Sequence, residues 1–293
     1  MNFLQALIDA VALGVLYALV ALGIALLFGA MRLVNFAYGE LITTAVYVLV
    51  LTKSLGAPWR AVLAVAGAIA MAAIMELAFR PFRNASPSTA LIATFAVSFL
   101  LQSAATLAFG TQGTTIDFLP GLNQAFHLGD LVIRWITLIS LVVGSSLLGG
   151  IALVLGRTDL GLQMRAVAGG LRTARILGVH ANRIMIAAFL TSGFIAGMVT
   201  LVLSVQRPLA NPSYGFLVMV PALVGVVVGG MDRLVAGTLG GFAVGFFTIM
   251  LGFVLPANTR VFLNSALFAL VIVVLLVKPN GLFVRGRRTM DRV

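Results

Sequence analysis

Few residues in this chain have chemical capacity. Glu40 is one: it follows Arg32-Leu33-Val34-Asn35-Phe36-Ala37-Tyr38-Gly39, between two apolar runs. A carboxylate within a membrane span costs about 2.5–3.5 kcal/mol on insertion scales, so it must face protein or water. Asn35, Tyr38 and Gly39 beside it fit unwound backbone at a helix start, where free amide groups attract an anionic group. The plainer alternative is an interfacial Glu40 paired with Arg32. A second set, Thr94, Ser98, Gln102 and Thr106, recurs every four residues. On a helix these side chains align as one polar ridge. Such a ridge either lines a route for a small polar solute or hydrogen-bonds a neighbouring helix. Glu76 stands four residues before Arg80, where a helical ion pair accounts for it.

Catalytic patterns are missing from the sequence. It holds no paired-carboxylate cleft, no nucleophile elbow and no metal-ligand spacing. Cysteine is absent, and the two histidines, His127 and His180, fall in separate loops, so neither a metal nor a cofactor is expected. The two lysines, Lys53 after Thr52 and Lys278 after Val277, do not form a Gly-Lys-Ser/Thr phosphate loop. The chain is therefore expected not to be an enzyme. If ATP drives it, another subunit binds the nucleotide.

The longest polar interval between spanning runs is Arg157–Arg183, with arginines at 157, 165, 172, 175 and 183 and Asp159 as its one acid. Its positive charge places it on the cytoplasmic side. Thr158 is suited to cap a short helix through Leu162, Met164 and Val167, which Gly169-Gly170 breaks. A second short helix is expected over Leu171–Leu177, ending at Gly178 in the left-handed conformation that helix ends favour. Such a pair makes a knob for a groove in a soluble partner, or else a basic loop lying on anionic lipid.

These features need elements to position them, and composition says which. With 61% hydrophobic and 9% charged residues and a mean hydropathy of +1.14, the 293 residues hold too little polar material to cover a soluble domain. The net charge of +11 does not suggest nucleic acid, because the basic residues sit in gaps between apolar runs. A bilayer core about 30 Å thick takes about 20 helical residues. Spans are expected near 7–28, 60–79, 88–109, 131–155, 184–205 and 261–277. Shorter runs at 36–52, 215–230 and 236–254 have Gly or Pro at their edges, the pattern of discontinuous helices beside a cavity. The first segment begins without Lys or Arg and continues past Phe28, so it is expected to stay as a span.

The expected fold is an all-α polytopic bundle of about nine segments, eight to ten, forming one domain over 1–293 with a cytoplasmic tail at 278–293. Nine crossings put fourteen Lys and Arg on one side and five on the other. This asymmetry sets the N-terminus outside and the C-terminus in the cytoplasm. The loops Gly110–Asp130 and Arg207–Pro212 then share the outer face. Small residues recur at Gly193 and Gly197, at Gly225 and Gly229, and at Gly237, Gly241 and Gly245. Their first reading is helix packing, because close backbone approach drives association in lipid.

Several stretches together resemble the permease subunits of branched-chain amino acid ABC importers, in particular the smaller, H-type member of the pair. They are Arg32-x-x-Asn35-Phe36-Ala37-Tyr38-Gly39-Glu40; Arg165-Ala166, Ala174 and Leu177-Gly178-Val179 with Asn182-Arg183; Gly229-Gly230, Gly237-x-x-Gly240-Gly241; and Lys278-Pro279-Asn280-Gly281-Leu282-Phe283. The resemblance runs nearly end to end. It implies a multi-pass protein of the bacterial inner membrane, working with a second, M-type permease, two cytoplasmic ATP-binding subunits and a periplasmic binding protein. It also implies that the segment containing Arg165, Ala174, Arg175, Leu177, Gly178 and Val179 contacts an ATPase. Members commonly carry acidic residues where Gly169, Gly170 and Arg172 stand, His at Tyr38 and Lys at Pro221. Related permeases move urea, short amides or aromatic compounds. The rival from another class is a secondary transporter, which usually needs more intramembrane ionisable groups than Glu40 and Glu76.

Overall fold

The structure is a computed structural model that describes residues 2–128, 131–169, 174, 176, 178–231, 233–256, 259, 262–278 and 281. It is an all-α polytopic bundle. In chain order the helices are α1 Phe3–Met31, α2 Tyr38–Leu51, α3 Ala57–Phe79, α4 Pro87–Phe109, α5 Trp135–Arg157, α6 Asp159–Gly169, α7 Ala181–Gln206, α8 Tyr214–Gly229, α9 Leu234–Val254 and α10 Leu263–Val277. Six of these, α1, α3, α4, α5, α7 and α9, are long and apolar enough to cross a membrane.

Two of the expected lengths are corrected. The run at 236–254 is a full-length helix of 21 residues, α9, because its glycines pack without breaking it. The run at 261–277 gives a helix of only 15 residues, α10. The expected span at 131–155 also starts late, at Trp135. Leu131–Arg134 is instead the strand β3, paired antiparallel with β2, Ala125–Leu128.

The bundle is built around α1. This helix is apolar on every side and buried continuously from Gly14 to Leu27, the expected pattern for a helix surrounded by others. It packs on α5, α7, α8 and α9. The contact with α9 runs antiparallel and is made by glycines: a Cβ at Gly245 would lie 2.8 Å from the Cα of Gly14, and one at Gly241 would lie 2.3 Å from the Cβ of Ala21. The opposite edge of α9 meets α8 as closely, since a Cβ at Gly240 would lie 2.0 Å from the carbonyl oxygen of Gly225. On α7, Gly193 and Gly197 admit the backbone of α3 in the same way, at Ile69 and Val65.

Two short strands join the loop after α4 to the loop after α7. Thr114–Thr115 (β1) pairs antiparallel with Leu209–Ala210 (β4), and the Ile116 amide donates to the Pro208 carbonyl at 2.9 Å. Arg60, at the start of α3, is buried beneath this junction. It donates to the carbonyls of Asp117 and, at 3.1 Å, Leu49, and stands 5.4 Å from the Phe118 ring centroid. Overpacking a filled contact typically costs about 1–3 kcal/mol. Gly241→Leu is therefore expected to lower the yield of folded, monodisperse protein. Gly121→Leu, where a Cβ meets nothing within 4 Å, is expected to leave yield unchanged. Size-exclusion profiles of the two variants check this.

Candidate functional site

Helix α2 starts inside the bundle. The Tyr38 side chain, fully buried, lies against Gly23 of α1, where a Cβ would come within 2.2 Å of its hydroxyl. Gly23 precedes the end of α1 at Met31 by eight residues, about 12 Å at the helical rise of 1.5 Å per residue. The chain thus leaves α1, turns back through Arg32–Ala37, and begins α2 at that depth. The turn is sharp: Arg32 closes α1 in the left-handed conformation, φ 58°, and donates its amide to Phe28 at 2.7 Å. The Asn35 side-chain oxygen then accepts from the Ala37 amide at 3.0 Å, ordering the start of α2.

The start of α8 reaches the same place from the other direction. A Cβ on Gly215 would lie 1.8 Å from the Gly39 carbonyl oxygen, so the two backbones touch. Thr43 bridges them, accepting from the Gly215 amide at 3.1 Å and donating to the Gly39 carbonyl at 3.3 Å. Two helices of 14 and 16 residues therefore meet N-terminus to N-terminus inside the bundle. Each brings the positive end of its helix dipole there. Pro221 lies within α8 and deprives it of one internal hydrogen bond. Beside this junction, the Asn35 amide nitrogen and the Tyr38 hydroxyl are buried without a hydrogen-bond partner.

Glu40, 2% exposed, lies in the first turn of α2. Its Oε1 accepts from Ser98 Oγ at 3.0 Å and from Gln102 Nε2 at 2.9 Å, and Gln102 Nε2 also reaches Ser98 Oγ at 3.1 Å. The polar ridge of α4 thus does two things. Its middle pair holds the carboxylate of α2. Its ends serve backbone: Thr94 Oγ1 donates to Leu91 O at 2.8 Å and accepts from the Phe36 amide at 3.4 Å, while Thr106 donates to Gln102 O at 2.8 Å. Stacking of Tyr47 on Phe109, centroids 4.1 Å apart, and an edge contact of Phe36 with Phe95 at 5.6 Å complete the join of α2 to α4. Glu76 sits apart from this cluster and binds Arg80 at 2.9 Å.

At the far end of α5, Thr158 accepts from the Gly161 amide at 3.4 Å and caps α6. Helix α6 lies tightly on the end of α5. Arg165 Nη1 donates to the Leu155 carbonyl at 2.5 Å, and a Cβ at Gly161 would lie 1.9 Å from the same oxygen. Of the expected second helix, Ala174 and Ile176 are helical. Gly178 follows at φ 80°, and the Val179 amide donates to the Ala174 carbonyl at 3.0 Å. That pair of features is the left-handed helix end that closes with a bond back to the last turn. Arg175 and Leu177 lie outside the described residues, as do Gly170 and Arg172.

Gly225, Gly229, Gly237, Gly241 and Gly245 all stand at helix contacts, remote from any chemistry: Gly229 faces Ala236, and Gly237 faces Val226 and Ala25. Sequence reasoning missed Thr43, Gly215 and Arg60. Thr43 stands four residues after Gly39, the spacing at which a helical hydroxyl reaches back to a carbonyl. No local signal marks Gly215 or Arg60, whose partners are distant in sequence.

Short helices whose ends meet inside a bundle are a feature of membrane transporters. The chain belongs to the family described as branched-chain amino acid transport system / permease component, which matches residues 6–277. Among curated relatives it is 28% identical over 308 residues to the high-affinity branched-chain amino acid transport system permease protein BraD of Pseudomonas aeruginosa, covering 100% of this chain and 98% of that protein. It is 28% identical over 306 residues to the permease protein LivH of the same kind of system in Escherichia coli, covering 99% and 98%. A probable LivH of Methanocaldococcus jannaschii is 28% identical over 283 residues, covering 91% and 88%.

Removing a donor from a buried acceptor costs about 1–3 kcal/mol, whereas removing both partners costs less. Gln102→Leu is therefore expected to lower thermal stability by that order. Glu40→Leu with Gln102→Leu is expected to cost less than the two single changes added. Additive losses in thermal melts of the solubilised protein would show that the two side chains do not interact.

Proposed function

We propose that this chain is the membrane-spanning permease subunit of an ATP-driven importer that passes branched-chain or related amino acids across the inner membrane. The observation that carries this reading is the match of nearly the whole chain to that permease family. The meeting of α2 and α8 at their N-termini supports it, because two positive helix ends inside the bundle favour the carboxylate of an amino acid in transit. Asn35, Tyr38 and Gly39 border that junction. Glu40, held by Ser98 and Gln102, fixes α4 against α2, and Thr94 and Thr106 extend the same helix face.

The six long and three short helices give nine crossings with the N-terminus outside and the C-terminus in the cytoplasm. This arrangement retains α6 and the 278–293 tail among the positive loops. The chain carries no phosphate loop, so its work comes from elsewhere: two cytoplasmic ATP-binding subunits push on the 157–183 segment, and a second, M-type permease completes the membrane unit. A periplasmic binding protein delivers the amino acid to the paired outer loops. Because α6 is locked to the end of α5 through Leu155, a push on α6 moves α5 and, through it, α1.

Reconstituted uptake tests this. The full assembly in proteoliposomes is expected to take up labelled leucine only when ATP, both ATP-binding subunits and the binding protein are present. Urea and short amides are expected to be taken up poorly. Efficient uptake by this chain alone on an ion gradient would overturn the proposal.

A further inference from the structure

A cavity of about 740 Å³ opens between α1, α5, α6, α7 and α9. That volume is within the range of about 300–1,000 Å³ usual for ligand sites. Its walls are almost wholly apolar, and its charged residues gather at one end. Arg32 closes α1, Arg233 precedes α9, and Arg165 lies on α6 just past the end of α5. None of the described residues that line it is acidic. From this end the cavity extends to Leu148 on α5 and Leu22 on α1. Each of these lies nine residues before its helix's last residue, about 13 Å by the helical rise.

A ligand that suits such a space has a compact anionic head and an apolar tail at least that long. Branched-chain amino acids have too little apolar length to fill it, and an inorganic anion leaves the apolar walls unpaired. We propose that this cavity is a binding site for one anionic phospholipid, with the phosphate at Arg32, Arg165 and Arg233 and an acyl chain running between α1 and α5 toward Leu148. Basic pockets between membrane helices hold acidic headgroups by this chemistry. Arg165 also bonds Leu155, so a headgroup there touches the joint between α5 and α6. The lipid would then rest against the element on which the partner ATPase pushes. The binding site itself does not depend on that role.

Native mass spectrometry of the purified permease in its assembly tests the site, after delipidation and titration with phosphatidylglycerol or with phosphatidylcholine. The expected result is retention of one phosphatidylglycerol per chain and weak retention of phosphatidylcholine. Arg165→Gln with Arg233→Gln is expected to weaken phosphatidylglycerol binding roughly thirtyfold, at the usual strength of two arginines near an acidic headgroup. Leu239→Trp narrows the apolar part, leaves the arginines in place and is expected to weaken binding as well. Arg157→Gln, outside the cavity, is expected to leave phosphatidylglycerol binding unchanged. Equal binding of both lipids, or full retention in the double variant, would overturn the proposal. Displacement of the lipid by inorganic phosphate at comparable concentration would also overturn it, by making the site one for a free anion.

Discussion

Inside a bilayer, apolar side chains gain nothing by leaving lipid for one another, so helices stay together only where they fit closely. In this protein that constraint is met on α1. Glycines of α9 let backbone touch backbone at Gly14 and bring it against Ala21, and the other edge of α9 meets α8 in the same way. These contacts fix three helices as one block. Two other features rely on the block being rigid: the return of the chain into the bundle after Arg32, and the cavity beside the α1 end.

A second constraint comes from the same absence of water. Every polar group carried inward needs a partner within the protein. Glu40 finds Ser98 and Gln102, Thr43 finds Gly39 and Gly215, and Ser192 Oγ donates to the Gly23 carbonyl at 3.0 Å. The Asn35 amide nitrogen and Tyr38 hydroxyl do not; both residues belong to the start of α2, the hydroxyl lying against Gly23 of α1. A helix N-terminus inside a bundle is the kind of place a solute carboxylate favours. Glu40 is the counterweight, a carboxylate already satisfied and turned toward α4.

Much of this was legible in the residues. Apolar run length located the helices, because a helix must be long to cross and its ends carry charge. The lengths failed at 236–254, where glycine reads as a breaker although in a bundle it is a contact surface, and at Leu131–Arg134, which a hairpin claims. The spacing of Thr94, Ser98, Gln102 and Thr106 announced one helix face but could not say what it faced. That answer depends on Glu40, 58 residues before Ser98 in the chain. The meeting of Gly39 with Gly215 and the burial of Arg60 had no local sign at all, since both arise from folding distant segments together. The closing of a helix at Gly178 was visible because glycine alone takes that conformation without cost.

The proposed coupling to ATP turns on where α6 lies. Arg165 and the tight seat of α6 on α5 can serve it only if α6 stands on the side where ATP is hydrolysed. The chain contains no cysteine, so single cysteines report sidedness cleanly. The exposed Leu162 of α6 and Leu119 of the loop after α4 are the positions to use. With a membrane-impermeant maleimide, Leu162→Cys is expected to be labelled in inside-out vesicles and protected in intact spheroplasts, and Leu119→Cys to behave in the opposite way. Labelling of Leu162→Cys from outside would contradict a cytoplasmic α6 and with it the coupling to ATP.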